Sequence, residues 1–201
     1  MRRIIMFNRV TPEGSFAGPD GGLNWIVPDP ELDRVAAESI GRSEFDTILF
    51  GRRTYQQFES FWPHVAADAP DAPNPHDGQR RSPELRAMAT MLNEANKLVF
   101  SRTLKTVTWQ NSRLFETLDP RVVVALKSAP GKDMIVFGSG SIVSQLTEHG
   151  LIDEYQFVVT PILLGRGRAL FSGMSNGLKL ALQEAKAFPT GNVMLRYARA
   201  A

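Results

Sequence analysis

Apolar and polar positions along this chain follow two alternating periods. Short runs rich in β-branched and aromatic residues, at 4–7, 45–50, 97–100 and 133–137, have the length and make-up of buried strands. Between them apolar residues recur at helical spacing. Leu32, Val35, Ala36 and Ile40 predict a helix over 30–43, with Asp29 as its N-cap ahead of Pro30 at the first helical position. Met88, Met91 and Leu92 mark the buried face of a helix over 84–94. Further helices are expected at 53–60, 120–128 and 140–149, and a further strand at 106–109. The ending changes character: 154–161, 178–188 and 193–199 read as strands with little helix between them. Leu178, Leu180 and Leu182 alternate as one arm of an antiparallel pair, and Val193, Leu195 and Tyr197 as the other. The pattern predicts an α/β fold, a mostly parallel central sheet flanked by helices and closed by a C-terminal antiparallel hairpin.

Two stretches break the rhythm. Residues 11–24, with Gly14, Gly18, Gly21, Gly22, Pro12 and Pro19, predict a long mobile loop. Residues 62–83 are proline-rich and aperiodic, and strand material resumes at Lys97, so they predict a surface excursion within a single domain spanning 1–201.

Composition narrows the chemistry. With 201 residues, 43% hydrophobic, the chain can bury a sizeable core in one domain. A formal charge of +2 without a long basic run gives no support to a nucleic-acid partner. The absence of cysteine excludes disulfides, thiolate metal sites and cysteine nucleophiles. His64, His76 and His149 are too scattered for a metal site or a Ser-His-Asp arrangement, so no metal is expected. The opening apolar stretch is interrupted at Asn8 and Arg9, too early for a signal-peptide core, and no run is long enough for a bilayer. The expectation is a cytoplasmic protein without a membrane partner.

The informative chemistry sits where strands end. Phe50 runs into Gly51, Arg52, Arg53 and Thr54, and Phe137 into Gly138, Ser139, Gly140 and Ser141. Each exit opens a helix, so free amides and the positive end of the helix dipole meet where glycine permits close approach. Two such exits suit an anion with two ends, such as a dinucleotide. Phe100 runs into Ser101, Arg102 and Thr103, a third exit with a hydroxyl and a cation. Arg52, Arg53 and Arg102 are placed to pair with the 2′-phosphate that separates NADPH from NADH.

These segments, in order and spacing, resemble the NADPH-binding segments of the dihydrofolate reductase fold. Leu151-Ile152-Asp153-Glu154-Tyr155, Thr160-Pro161-Ile162-Leu163-Leu164-Gly165-Arg166-Gly167 and Leu170-Phe171 look like the reductase domain of the bifunctional riboflavin-biosynthesis deaminase-reductase and its stand-alone relatives. The resemblance implies an eight-stranded sheet and NADPH as hydride donor. It implies that Arg52, Arg53 and Thr54 hold cofactor phosphates, that Ser101 and Arg102 receive the 2′-phosphate, and that the 138–141 turn covers the pyrophosphate. The loop from Thr11 to Trp25 becomes a lid over the nicotinamide.

Departures from the pattern fall on the substrate side. Pro30, flanked by Asp29 and Glu31, stands where dihydrofolate reductases keep their pterin-binding carboxylate. Asn96 replaces the arginine that grips the folate tail, Val143 a tyrosine beside the nicotinamide, and Glu13-Gly14 the Asp-Gly usual in the riboflavin-type relatives. There is no deaminase domain, and Arg166 and Arg168 are candidates for a substrate phosphate.

The implied activity is an NADPH-dependent reductase acting on a small planar or pentose-derived substrate, resembling 5-amino-6-(5-phosphoribosylamino)uracil reductase. The alternatives are a dihydrofolate reductase and a non-catalytic nucleotide-binding module. Asp29 or Glu31 would orient or relay the proton, and Trp25 would stack on the substrate or anchor the lid. Relatives also imply a homodimer, which the apolar edge strands would permit.

Overall fold

A computed structural model of the chain describes residues 1–42, 44–67 and 83–200. Along the chain the elements are β1 (Ile4–Val10), β2 (Ser15–Ala17), α1 (Pro30–Arg42), β3 (Phe45–Gly51), α2 (Arg52–Glu59), α3 (Trp62–Ala67), α4 (Pro83–Glu94), β4 (Asn96–Phe100) and β5 (Ser112–Phe115). They continue with α5 (Pro120–Ser128), β6 (Asp133–Phe137), α6 (Gly140–Glu148), β7 (Glu154–Val159), β8 (Arg168–Ala169), β9 (Leu180–Ala187) and β10 (Val193–Arg199).

Eight strands form one sheet in the order β5-β4-β3-β6-β1-β7-β10-β9. All pairs from β5 to β7 are parallel, and β10 pairs antiparallel with both β7 and β9. Parallel strands bury both faces, which explains the near-continuous apolar runs in β3, β4 and β6. Strand alternation sends Ile4, Met6, Leu49, Leu98 and Val136 to a layer covered by α5 and α6. It sends Ile5, Ile48, Phe50, Val99 and Ile135 to a layer covered by α1, α2 and α4. Each fully buried aliphatic or aromatic side chain contributes roughly 1.5–3 kcal/mol, so this two-sided core dominates stability. At the opposite edge β9 is largely exposed, Leu182 included. No helix among the described residues is long and apolar enough to cross a membrane.

Three elements differ from the sequence pattern. The strand expected at 106–109 is irregular, and the strand that pairs with β4 is β5. Thr108 and Trp109 have the composition of a strand, but their amides are taken by side chains: the Trp109 N–H donates to Glu59 at 2.9 Å and to the Tyr55 hydroxyl at 3.0 Å. The indole of Trp109, packed against Phe50 and Tyr55, donates to Asn93 Oδ1 at 2.6 Å. The loop expected at 11–24 contains β2, which pairs with β8. The excursion expected from residue 62 begins with α3, and its residues 68–82, His76 among them, lie outside the described residues.

Two buried charges support this frame. Lys97, at the start of β4, is fully buried, with no carboxylate partner among the described residues. Its ammonium donates to the Asn93 and Gln110 carbonyls at 2.6 and 3.1 Å and lies 4.3 Å from the Trp109 ring centre. Burial lowers its pKa to about 8. Asp29, also buried, caps α1: it accepts the Leu32 amide at 3.0 Å and the hydroxyl of Thr190 from the β9–β10 turn. Those bonds, the Leu32 amide foremost, hold its carboxyl below the ordinary aspartate range.

Both charges have a pH signature. Folded Lys97 loses its proton near pH 8, whereas an unfolded lysine keeps it to about pH 10.4. The unfolded state binds more protons between those values, so stability rises with pH across that window. Denaturant unfolding of the Lys97→Met variant should lack that rise, and an identical pH slope in the two proteins would exclude Lys97 as its source. For Asp29 the slope has the same sign, at the acid end of the pH range. Its contribution is present above the ordinary aspartate range and lost as pH falls through the depressed folded value. Asp29→Ala should cost about 1 kcal/mol at neutral pH while Asp29→Asn costs less, as expected for an N-cap; equal midpoints for Asp29→Ala and wild type would show the cap to be idle.

Candidate cofactor crest and lid

The parallel strands β1, β3, β4, β6 and β7 all end at one edge of the sheet, where open α/β sheets bind ligands. The two glycine exits belong to neighbouring strands, β3 and β6, so the helices that follow, α2 and α6, start side by side. Neither start is capped by a side chain: Gly51 at α2 and Ser139 at α6 make no cap bond. First-turn amides at such a helix end are available to an anion.

The sequence folds this way for steric reasons. Gly138 and Ser139 adopt successive left-handed conformations, φ 51° and 55°. A Cβ on Gly138 would lie 2.9 Å from Thr54 Oγ1, so glycine is needed for space as well as for backbone angle. At Gly140 the added atom would meet the Phe16 ring at 2.8 Å. Two hydrogen bonds then stitch the exits together. The Gly51 amide donates to Ser139 Oγ and the Ser139 amide to Thr54 Oγ1, both at 3.0 Å. Thr54 and Ser139, read from sequence as cofactor ligands, are buried and serve each other's backbones.

The cations are free. Arg52, Arg53 and Arg102 are exposed, and none has an ion-pair or hydrogen-bond partner among the described residues. Ser141 is exposed on the first turn of α6. At the β4 exit Ser101 Oγ accepts the amides of Thr103 and Leu104 at 3.2 and 2.9 Å, a turn that presents Arg102 outward. Free guanidinium groups beside two uncapped helix starts fit the phosphates of a dinucleotide. They have no other partner among the described residues.

The lid is clasped at its base. Glu13 accepts the amides of Leu164 and Gly165 at 2.8 and 3.0 Å, β2 pairs with β8, and Arg168 donates to the Pro19 carbonyl at 2.9 Å. Glu13 therefore holds the 164–165 turn, and Arg168 is engaged within the lid. Farther along, Gln57 of α2 reaches the Gly21 carbonyl at 3.4 Å. Trp25 ends the loop in the interior, 6% exposed, with its Nε1 buried and unpaired.

Both predicted acids are already engaged. Asp29 faces the β9–β10 turn as the cap of α1, and Glu31 pairs with Lys186 of β9 at 3.2 Å. A different pair, overlooked in sequence, lies nearer the centre of the sheet: Arg9 of β1 is bonded to Asp33 of α1. Its only sequence signal was a cation interrupting the first apolar run. A cavity of about 690 Å³ lined by Glu59, Asn93, Thr108 and Trp109 lies beyond the far end of α2, where these groups bond to one another and to their neighbours.

Comparison with known proteins agrees with this geometry. YyaP of Bacillus subtilis (strain 168) is 27% identical over 200 residues, covering 98% of this chain and 94% of its own length. A diaminohydroxyphosphoribosylaminopyrimidine deaminase/5-amino-6-(5-phosphoribosylamino)uracil reductase from Thermotoga maritima superposes with a TM-score of 0.60 at 16% identity, over 99% of this chain and 57% of that one. Dihydrofolate reductase from Enterococcus faecalis does so with a TM-score of 0.60 at 10% identity, over 99% and 97% of the two chains. The fold is dihydrofolate reductase-like. Residues 2–194 match the family described as the RibD C-terminal domain, and the chain belongs to that family.

Proposed function

We propose that the chain is an NADPH-dependent reductase for a small planar or pentose-derived substrate, of the 5-amino-6-(5-phosphoribosylamino)uracil reductase type. The observation that carries this reading is the pair of uncapped helix starts at adjacent strand exits with three unpartnered arginines around them. Family membership supports it, as does the likeness to a dihydrofolate reductase solved in complex with NADP(H). NADPH, when bound, supplies the hydride.

The chain's own residues bind, orient and exclude water. First-turn amides of α2 and α6 receive phosphate oxygens at the stitched exits. Arg52, Arg53 and Arg102 add charge-assisted bonds, and Arg102, presented by the Ser101 turn, takes the 2′-phosphate. Phe16, lying over Gly140, and the clasped lid shield the reacting atoms from solvent. Asp29, held ionised as a helix cap, is a poor proton donor near neutrality, so we assign it to the support of α1.

Two measurements test the reading. NADPH should bind at least about tenfold more tightly than NADH, and Arg102→Ala should remove most of that preference. A well-formed charge-assisted bond is worth about 1.5–3 kcal/mol, or at least about tenfold in Kd. Equal affinity of the wild-type protein for the two cofactors would overturn the assignment. Consumption of NADPH in the presence of 5-amino-6-(5-phosphoribosylamino)uracil is the expected turnover; tight NADPH binding with no oxidation of it would favour a binding module instead.

A further inference from the structure

One charged group has no task in this account. Arg9 lies near the end of β1, two residues after Phe7 and on the same face of the sheet. Its Nη2 is bonded to Asp33, and its Nη1 is buried without a hydrogen-bond partner among the described residues. A buried guanidinium N–H without an acceptor is costly to the fold, and nothing in the described structure removes that cost. Asp33 stands seven residues before Ile40, on the same flank of α1. Ile40 packs into the layer that contains Phe7, Phe58 and Phe137, so this flank of α1 faces that layer.

Beside Arg9 the surface is aromatic. Phe7 meets Phe137 edge-on, with centroids 6.1 Å apart, and Phe58 of α2 lies 5.5 Å from the same ring. Phe7 and Phe58 are only partly buried although they belong to the core layer. An incompletely covered aromatic face suits a flat ring, and the orphaned N–H at its end asks that ring for an oxygen. The far end of the lid carries the same need: Trp25 Nε1 is also a buried donor without an acceptor. Donors at both ends of one loop call for a ligand that brings acceptors.

We infer that Arg9 is a substrate-recognition residue, with Nη1 donating to a carbonyl or carboxylate oxygen on the edge of a planar ring laid against Phe7 and Phe58. The inference rests on the reductase reading for its setting, and it narrows the substrate to rings with an acceptor edge. Asp33 orients the guanidinium and offsets its charge, so neutral oxo rings are accepted as well as anionic ones.

The test is equilibrium binding of three probes to the full chain, with and without NADPH, followed by intrinsic tryptophan fluorescence. The probes are 5-aminouracil, whose edge carries carbonyls; orotate, which adds a carboxylate; and 2,4-diaminopyrimidine, which places donors on the same ring. Wild type should bind at least one oxo ring about tenfold or more tighter than 2,4-diaminopyrimidine. Arg9→Met should lose that preference with the NADPH Kd unchanged. Asp33→Asn, which leaves the guanidinium without its counter-charge, should tighten orotate severalfold and decides the matter if Arg9→Met does not fold. The oxo ring favoured by wild type separates a carbonyl from a carboxylate partner. A preference for 2,4-diaminopyrimidine, failure of wild type to bind either oxo ring, or oxo-ring affinity unchanged in folded Arg9→Met would overturn the inference. Failure of wild type to bind NADPH would overturn the cofactor reading alone, because the titrations without cofactor still report on Arg9.

Discussion

The Gly51 amide reaches across to the Ser139 hydroxyl, the Ser139 amide reaches back to Thr54, and the arrangement of the crest depends on these two bonds. Parallel strands deliver their ends to one edge of a sheet, but they do not by themselves hold two helix starts in fixed relation. The stitch does. It requires two consecutive left-handed residues at 138 and 139, and a missing Cβ at Gly138 so that Thr54 can approach. Left-handed serine is an unfavourable conformation, and such strain persists only where the surroundings over-determine it. Here both hydrogen-bonding functions of Ser139 are committed across the exit. Its small polar residues are used internally, while Arg52, Arg53 and Arg102 keep no partner among the described residues.

The lid obeys a different economy of contacts. Its first half is tied by Glu13 to two consecutive amides and by a short ladder between β2 and β8, while its far half touches α2 through Gln57. The ladder between β2 and β8 is short, but Ser15 and Ala17 of β2 are buried, so this end of the loop is packed against the body of the fold. Phe16 lies against Gly140, which couples this loop to the start of α6.

Helix α1 shows how one element separates structural from functional charge. Successive residues project about 100° apart, so Glu31 and Asp33 lie on opposite flanks. Glu31 turns to Lys186 on β9, Asp29 is fastened to the β9–β10 turn, and Asp33 turns toward Arg9. An acid within the first turn was visible in sequence as a candidate. Which acid met Arg9 depended on the rotation of the helix, set by Leu32 seating among Val158, Phe188 and Met194.

The chain's own pattern was sufficient for most of the frame, because period-2 and period-3.6 burial are local consequences of strand and helix geometry. The runs at 45–50 and 133–137, the helix after Asp29 and the closing antiparallel pair all stand where their periodicity placed them. The exit at Gly138 was legible for a similar reason, since a strand-to-helix turn with positive φ leaves few residues to choose from. Long-range partnership was not legible. Strand-like residues 106–109 lost their ladder to Glu59 and Tyr55, and the glycine-rich loop gained one from residues 168–169. Thr54 and Ser139 were drawn inward, and Arg9 acquired Asp33. Local physics determines which backbone segments can form. Only packing in three dimensions decides which side chains are consumed in holding them together and which, like Arg52, Arg53, Arg102 and the Nη1 of Arg9, are left with hydrogen-bonding capacity to give to something else.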